Sequence, residues 1–511
     1  MIDRGAPRRR GPGGLAVLAL AGLAALGGCR ERNGGEITAT VIGERLPQIV
    51  DPVTKAPTTG DAILLSNAAQ GLVRFDPAGN IAPGLAERWA VSDDGLSYIF
   101  RLEKANWSDG RRVRARDVVR LIERQLQRKN GDATRDTVGA IAQVVAMTDR
   151  VIAIELSSPR PHLLQLLAQP AFALVRDSKG TGPFAVATEN NGLLLSRVTP
   201  GLDGDEGQRE QVRVESAPAE KAVAAFVAGK TDLVLGGTVG DLSFALGAKL
   251  PRNSLRIDPV AGLAGLVPAR KDGPGADLRV RALLDEAIDR AALVGALGVP
   301  DLQPRASLLQ AGLDGVTNPY QPAWTGLAPA DRSAALLERA RTLFAEPAVT
   351  PAKGAAPAEA EPAPRPVIRI ALPEGPGGAI ILSRLQTDWQ PLGLTVEAAG
   401  PGKPADFRWV DQVAPSTSPA WFLRSFRCEF VPVCSEEADQ LLDAARLTGF
   451  APQRNAFFAD AERMMRDAVL FIPVTAPIRW SLTDRSIDGF AENRFAVHTL
   501  MGLRERANTQ D

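Results

Sequence analysis

Apolar and polar positions follow a short, ordered pattern over residues 71–119. An apolar run at residues 72–75 ends at the turn sequence Asp-Pro-Ala-Gly of residues 76–79. Every second residue from 98 to 102 is then apolar, which is the period of a half-buried strand. A second turn at residues 107–110 precedes the first positions of a helical pattern. The pattern predicts a strand, a turn, a second strand and the start of a helix.

Strand-like and helix-like patterns continue to alternate along the rest of the chain. The clearest helix begins after Asp277, a good N-cap residue, and its apolar residues share one face. That face is formed by Val280, Leu283, Leu284, Ala287, Ile288 and Ala291. Further strands are predicted at residues 151–156, 368–372, 405–410 and 471–474, and further helices at residues 163–167, 219–228, 380–392, 435–447 and 452–465. The alternation predicts an α/β fold.

Length and charge narrow the class of protein. The chain has 511 residues, enough for more than one lobe. Its 59 basic residues balance 59 acidic ones, which argues against nucleic acid or an acidic membrane surface as a partner. Residues 346–366 are rich in Ala, Pro and Glu, so we expect a solvated insertion within a lobe rather than a boundary between domains.

The first residues have the pattern of an export signal. Arginines at positions 4, 8, 9 and 10 precede a short apolar stretch at residues 15–26, too short for a spanning helix. The sequence Leu-Gly-Gly-Cys that follows resembles a lipobox, so we predict a leader over residues 1–28 and lipidation of Cys29. An ordinary secretory signal with a chance cysteine is the alternative. We expect the rest of the chain to be soluble and tethered only through the lipid.

Two further cysteines, Cys428 and Cys434, remain in the body of the chain. An exported protein meets an oxidising compartment, which favours a disulfide between them. Two separate buried thiols are the alternative.

Motifs for catalysis, metal binding or nucleotide binding are weak. The triplet Gly-Lys-Thr at residues 229–231 lacks the preceding glycine of a phosphate loop, because position 224 is Ala224. The glycine-rich residues 375–378 lie between a strand and a helix, where they either present amides to an anion or simply turn the chain. The two histidines, His162 and His498, lie far apart in the sequence. We therefore expect no cofactor, no metal site and no enzymatic activity.

The region 71–119 resembles the signature of the family 5 solute-binding proteins, the peptide- and dipeptide-type receptors of bacterial ABC importers. The positions that fit are Gly71, Asp76, Gly79, Pro83, Leu85, Ala86, Trp89, Asp94, Gly95, Tyr98, Phe100, Leu102, Trp107, Asp109, Gly110, Ala115, Asp117 and Val118. Weaker resemblance continues from about residue 37 to 500, including Phe-Ile-Pro-Val at residues 471–474 and the Arg479-Trp480 pair of a closing strand.

The resemblance implies a two-lobed periplasmic-binding-protein fold of class II, cluster C type, with a hinge between the lobes and an extra subdomain in the first. The expected lobe I comprises residues 36–65, 178–265 and 481–505, and the expected lobe II residues 266–480. The extra subdomain is expected at residues 66–177.

The resemblance also implies a function and a set of ligand contacts. The expected protein is a monomeric, lipid-anchored receptor of the periplasm or cell envelope, which closes around a peptide or similar small polar solute and delivers it to an ABC permease and its ATPase. In peptide-binding relatives an aspartate pairs with the ammonium group of the peptide, and Asp411 is the acid in the matching loop. Trp409 and Trp421 are candidate walls of the cleft, and Trp107 is a further candidate.

Each of these residues has a structural alternative. Asp411 falls earlier relative to Pro419 than the family aspartate does to its proline, so a capped or solvated carboxylate is an alternative. Core packing is the alternative for the three tryptophans. The chain is poor in aromatic residues, which leaves peptides and other small polar solutes open. A non-transporting sensor or scaffold, and an enzyme built on this scaffold, are the other functions considered.

Overall fold

The computed structural model describes residues 36–127, 138–190, 192–199, 208–344, 366–400 and 402–506. The predicted leader, Cys29 and nearly all of the predicted insertion at 346–366 lie outside these residues. No helix within the described ranges is long and apolar enough to cross a membrane.

Strands and helices alternate through most of the chain. The strands are β1 (Glu36–Ile42), β2 (Val73–Phe75), β3 (Ile81–Pro83), β4 (Ala86–Val91), β5 (Ser97–Leu102), β6 (Ile141–Thr148), β7 (Val151–Leu156), β8 (Ala185–Glu189), β9 (Gly192–Thr199), β10 (Gln208–Ala217), β11 (Leu233–Thr238), β12 (Leu255–Ile257), β13 (Gly262–Pro268), β14 (Val367–Ala371), β15 (Thr395–Ala398), β16 (Phe407–Val413), β17 (Ile472–Thr475), β18 (Arg479–Thr483), β19 (Ile487–Asp488) and β20 (Arg504–Glu505). The α-helices are α1 (Thr59–Ala68), α2 (Ala115–Leu126), α3 (Leu163–Leu167), α4 (Ala219–Val227), α5 (Leu242–Leu246), α6 (Leu278–Ala287), α7 (Arg290–Leu297), α8 (Pro329–Phe344), α9 (Pro376–Trp389), α10 (Pro419–Arg424), α11 (Glu436–Leu447) and α12 (Ala451–Asp467). Short 3₁₀ turns lie at Pro170–Phe172, Pro274–Ala276, Ala323–Gly326 and Gln390–Leu392.

Three larger sheets organise these elements. A seven-stranded sheet has the order β12-β18-β11-β1-β10-β9-β8, and a five-stranded sheet has the order β15-β14-β16-β13-β17. A four-stranded antiparallel sheet, β4-β5-β7-β6, includes two strands, β4 and β5, of the region in which the signature was found. The chain passes from the seven-stranded to the five-stranded sheet between β12 and β13, and it returns between β17 and β18. The α/β class is therefore confirmed.

The four-stranded sheet has its own apolar core. Phe100, Leu102 and Ile152 on its strands and Trp107 in a following turn are almost fully buried, and α2 packs against them through Val118. Aromatic and aliphatic side chains buried to this degree each stabilise the fold by roughly 1.5–3 kcal/mol.

The five-stranded sheet packs against α6, α7 and α9. Trp389 near the end of α9 is fully buried, and its indole nitrogen donates to the carbonyl of Leu284 at 3.1 Å. The hydrogen bond satisfies the polar atom that the burial of a tryptophan would otherwise leave unpaired.

The predicted helix after Asp277 divides in two. Asp277 caps α6 by accepting from the amide of Arg279, but Ile288 adopts an extended conformation and ends the helix. Asp289 then caps α7 by accepting from Ala292, while its own amide donates to Asp388. The second cap and its distant partner break the helix, so the expectation of one apolar face running to Ala291 was wrong.

A buried ion network fixes these two helices to α12. Asp285 accepts hydrogen bonds from Arg290 and from Arg466, the latter at 2.9 Å. All three side chains are almost fully buried. Arg290 and Arg466 also donate to the carbonyls of Pro473 and Phe471, so both guanidinium groups have further hydrogen bonds while they share the single negative charge of Asp285. Removal of the shared carboxylate would leave two buried cations without it, which makes Asp285 the critical member.

Candidate functional site

A cavity of about 420 Å³ lies beside the crossings between the two largest sheets. Helix α1, the end of β11, the start of β18 and residues 495–498 form most of its wall. Val413 at the end of β16 and the 3₁₀ turn Pro170–Phe172 contribute the remaining sides. The cavity is within the size range of sites for small molecules, and segments from all three larger sheets or their connections enclose it.

Helix α1 is held in place at its N-terminus. The hydroxyl of Thr58 accepts from the amide of Asp61, and Asp61 accepts from the amide of Thr58, which together form a capping box. Asp61 also forms an ion pair with Arg45 and accepts from the amide of Gln48 at 2.8 Å. Burial alone would raise the pKa of Asp61, but the hydrogen bonds from Arg45, Gln48 and Thr58 outweigh it and lower the pKa to about 2.

Trp480 forms an aromatic wall of the cavity. Its indole nitrogen donates to the carbonyl of Thr238 at 2.9 Å. The ring lies directly against Gly237, where any Cβ would come within 2.1 Å of the indole. Gly236 has a φ of +91° at a bulge in the pairing of β11 with β18, which accounts for two glycines in succession.

Arg479 forms an ion pair between the five-stranded and seven-stranded sheets. The guanidinium of Arg479 on β18 donates to the Asp411 carboxylate on β16 at 2.8 Å and to the main-chain carbonyl of Asp411 at 3.1 Å. The two side chains are 19% and 16% exposed. Burial raises the pKa of Asp411, and the charge and hydrogen bond of Arg479 oppose that rise. Arg479 itself lines the cavity.

One acidic residue, Asp258, lies in the cavity wall. Asp258 accepts from the amide of Asn493 at 2.9 Å, and its other oxygen lies 3.1 Å from Nε2 of His498. Ser481 also lines the cavity, but its buried hydroxyl makes no hydrogen bond to any described residue. The serine therefore has no hydrogen bond to the imidazole, and the trio lacks the nucleophile-to-base hydrogen bond of a hydrolase.

Polar contacts also join the region around α3 to the loop that follows β16. Gln169 donates to the carbonyl of Pro415 at 2.9 Å, and the amide of Thr417 donates to Gln165 at 3.3 Å. His162 lies 3.1 Å from the carboxylate of Asp314. We call this set of contacts the seam; it joins residues 162–169 to Asp314 and to residues 415–417.

The predicted ligand residues occupy different places. Trp107 is buried in the core of the four-stranded sheet, with the guanidinium of Arg176 4.7 Å from its ring centre. Trp409 packs in the core under the five-stranded sheet, and Trp421 lies edge-on to Phe422 in a neighbouring core. None of these three tryptophans lines the 420 Å³ cavity, and neither does Asp411. Their contacts with a ligand stay a prediction.

Sequence reasoning missed most of the cavity wall. Arg479 and Trp480 were noted only as part of a closing strand, and His498 only as an unlikely metal ligand. The repeated glycines at 236 and 237 beside a strand are the signal in the sequence that marks a close backbone approach.

Cys428 and Cys434 are joined by a disulfide in the loop before α11. No cluster of three or more His, Cys, Asp or Glu within the described ranges has the arrangement of a metal site.

The sequence matches one family of bacterial proteins. The profile of the bacterial extracellular solute-binding proteins, family 5 Middle, matches residues 80–424, more than half of the chain. The periplasmic oligopeptide-binding protein of Salmonella typhimurium is 26% identical over 316 residues, which are 55% of this chain and 57% of that protein. The oligopeptide-binding protein AliA of Streptococcus pneumoniae is 35% identical over 123 residues, 23% of this chain and 18% of that protein. These matches span less than two thirds of either relative.

The fold has a solved counterpart along nearly its whole length. The structure of the Escherichia coli murein tripeptide-binding protein MppA superposes with a TM-score of 0.74 at 18% identity, covering 93% of this chain and 99% of that one. The two-lobed periplasmic-binding-protein fold expected from the sequence is thereby confirmed. The matching family and these relatives are binding proteins.

Proposed function

The chain belongs to family 5 of the bacterial extracellular solute-binding proteins, and from that premise we propose that it delivers a peptide or similar small polar solute to an ABC importer. The receptor would bind the solute in the 420 Å³ cavity, close its lobes around it and dock on a permease with its ATPase. The observation that carries the proposal is the position of this cavity beside both crossings of the chain between the two largest sheets.

The division into lobes is part of the proposal. Boundaries at 265 and 480 would cut through β13 and β18, which each pair fully within one sheet. We therefore place the crossings at residues 258–261 and 476–478, between the last strand of one sheet and the first strand of the other. Residues 66–177 remain the proposed extra subdomain, because they contain the whole four-stranded sheet.

The polar groups in the cavity wall favour a solute with charged or hydrogen-bonding groups. Asp258 and Arg479 supply one charge of each sign. Trp480 supplies an apolar face beside them. A short peptide, which carries an ammonium, a carboxylate and amides, has the matching chemistry.

The location is proposed on the same basis. A family of extracellular solute-binding proteins and the signal-like first residues support a place in the periplasm or cell envelope. We propose lipidation at Cys29 as the anchor, a monomer as the working form, and the membrane as a partner only through the lipid. Mass spectrometry of the mature N-terminus would test the anchor: an unmodified protein cleaved at another residue would contradict it.

The binding function is tested by filling the cavity. A thermal-shift screen of residues 30–511 against di- to pentapeptides identifies a solute that stabilises the folded protein. Titration calorimetry then compares wild type with Ala62→Phe, because half-buried Ala62 on α1 lines the cavity. We expect binding at least about tenfold weaker, a loss of about 1.4 kcal/mol or more.

The matched control is Ala225→Phe on α4, another half-buried helical alanine, which does not line the cavity. Equal binding by wild type and Ala62→Phe would contradict this site. A solute that binds but whose uptake is unchanged when the gene is deleted would contradict delivery and favour a sensor or scaffold.

A further inference from the structure

Asp258 is the only carboxylate among the described residues that line the 420 Å³ cavity. It directly follows β12, at the first crossing between the two largest sheets, and its side chain is 3% exposed. The amide of Asp258 donates to the carbonyl of Arg479 at 2.9 Å, and the preceding residue, Ile257, pairs with Trp480. The carboxylate therefore belongs to the part of the wall that lies beside both crossings.

The loop of residues 493–498 holds this carboxylate in place. Its first residue, Asn493, is buried, and the amide of Asn493 donates to Asp258 at 2.9 Å. The side-chain oxygen of Asn493 accepts from the amides of Phe495 and Val497 at 3.1 and 3.3 Å. Ala496, which lines the cavity, has a φ of +50°, a conformation that is strained for alanine and that recurs at ligand sites. The loop therefore fixes the amide that orients Asp258.

The groups that hydrogen-bond to Asp258 do not by themselves cancel its charge. The amide of Asn493 is neutral, and the imidazole of His498, with Nε2 3.1 Å away, donates in its neutral form as well as in its charged form. Arg256 on β12 is paired with Glu492 at 3.1 Å. An imidazolium at His498 is therefore the alternative to a cationic solute as the partner of this carboxylate.

Arg479, the basic side chain of the wall, already has an acidic partner. It donates to the Asp411 carboxylate at 2.8 Å, to the Asp411 carbonyl at 3.1 Å and to the carbonyl of Ile478 at 2.8 Å. Asp411, the ammonium contact predicted from the sequence, does not line the cavity. Its charge offsets the repulsion that Arg479 would exert on an ammonium, and it weakens the attraction of Arg479 for a carboxylate. The wall therefore favours an ammonium group over a carboxylate.

We infer that Asp258, rather than Asp411, binds an ammonium group of the solute. The solute class is then a peptide or another amine with a free ammonium, whatever its opposite end carries. Burial makes this contact selective, because a carboxylate removed from water gains far more from a cation than from a neutral amide in the same place. The inference rests on the proposed binding of a solute in this cavity.

Blocking each end of one peptide tests this assignment. Titration calorimetry at pH 7 compares a peptide from the thermal-shift screen with its N-acetylated and its C-amidated forms. In wild type, acetylation should raise the Kd at least about tenfold, because it removes a charged hydrogen bond, and amidation should raise it less than about fivefold. We call the first ratio the acetylation penalty. It should disappear in Asp258→Asn, which keeps an oxygen for the amide of Asn493.

Three further variants separate this contact from its alternatives. Asp411→Asn should keep the acetylation penalty, because Asp411 lies outside the cavity wall. His498→Gln should also keep it, because glutamine retains a donor and carries no charge. The matched control is Asp232→Asn: Asp232 is likewise buried and accepts from a distant amide, that of Thr38 at 2.8 Å, but it does not line the cavity.

Four results with a peptide ligand would overturn the inference and leave the binding function intact. The first is the absence of an acetylation penalty in wild type, a comparison that needs no variant to fold. The second is a penalty that is lost in Asp411→Asn and kept in Asp258→Asn. The third is a penalty found only in His498→Gln, which would show that an imidazolium already matches Asp258. The fourth is a larger effect of amidation than of acetylation, which would assign the main contact to Arg479.

A screen that finds no peptide would instead contradict the proposed function. Putrescine, an amine without a carboxylate, then tests the inference alone. A rise in the melting temperature of wild type that is lost in Asp258→Asn and kept in Asp232→Asn would support the ammonium contact. No rise in wild type, or an equal rise in both variants, would overturn it.

Discussion

Replacement of Arg479 by methionine tests the ion pair that joins β16 to β18. Methionine removes the charge and every donor of the guanidinium but keeps an apolar stem of similar length. Asp411, with a side chain only 16% exposed, would lose its partner at 2.8 Å. Breaking a buried pair from one side costs 3–5 kcal/mol, and the partial exposure here puts the expected loss near the lower end, about 3 kcal/mol at pH 7.

The pH dependence of that loss gives the sharper test. Arg479 opposes the rise in the pKa of Asp411 that burial causes, so its removal lets the pKa rise further. A carboxyl group with a raised pKa in the folded state destabilises the fold above that pKa, and the penalty disappears in acid when the group is protonated. We therefore expect the deficit of Arg479→Met relative to wild type to shrink as the pH falls from 7 toward 4.5.

Urea unfolding followed by tryptophan fluorescence and circular dichroism measures both effects. The double variant Asp411→Asn/Arg479→Met should be about 2 kcal/mol more stable at pH 7 than Arg479→Met, because it removes the unpaired charge as well. A deficit below about 1 kcal/mol at pH 7 would refute the importance of the pair. A deficit that is equal at both pH values, or a double variant no more stable than the single one, would refute the role assigned to the charge of Asp411.

Three further variants test other features of the fold. Asp61→Asn should lower the free energy of unfolding by about 2 kcal/mol above pH 4, and this difference should disappear between pH 4 and pH 2, because the pKa of Asp61 in the folded protein is about 2. The same dependence of unfolding free energy on pH in variant and wild type would contradict this. Asp285→Ala should lower the free energy of unfolding by about 3–5 kcal/mol, since two buried arginines lose their shared carboxylate, whereas a cost below 1 kcal/mol in urea would exclude a critical role. Cys434→Ser opens the Cys428–Cys434 loop and should cost about 2 kcal/mol, which dithiothreitol would reproduce in wild type; a variant as stable as wild type would show that the crosslink adds nothing.

Local features were readable from the sequence because the forces that form them are local. The alternation at residues 98–102 gave a strand, found as Ser97–Leu102, and the turn after Phe75 ends β2. Asp277 forms its cap with an amide only two residues away. By contrast, the end of α6 depends on Asp388, which lies 99 residues from the amide it holds.

The 420 Å³ cavity could not be predicted from the sequence, because contacts between residues far apart in the chain form its wall. Trp480 packs on Gly237 and Arg479 reaches Asp411 only after the chain has passed through the five-stranded sheet and returned. The resemblance to the family directed attention to tryptophans near Asp411, but burial places Trp409 and Trp421 in apolar cores. Which side of a strand or helix faces a cavity is set by these distant contacts, and the apolar pattern alone marks such residues only as buried.

The place of β18 in its sheet sets an order of events during synthesis. This strand lies between β11 and β12, although it comes from the last tenth of the chain. At 5–20 residues per second, the roughly 240 residues that separate β11 from β18 take about 12 to 48 s to emerge from the ribosome. Until then β11 and β12 have unpaired edges, and edges of this kind invite wrong pairing or aggregation. The seven-stranded sheet therefore cannot be completed before Thr483 has been made, which favours holding the chain unfolded over letting it fold as it is synthesised.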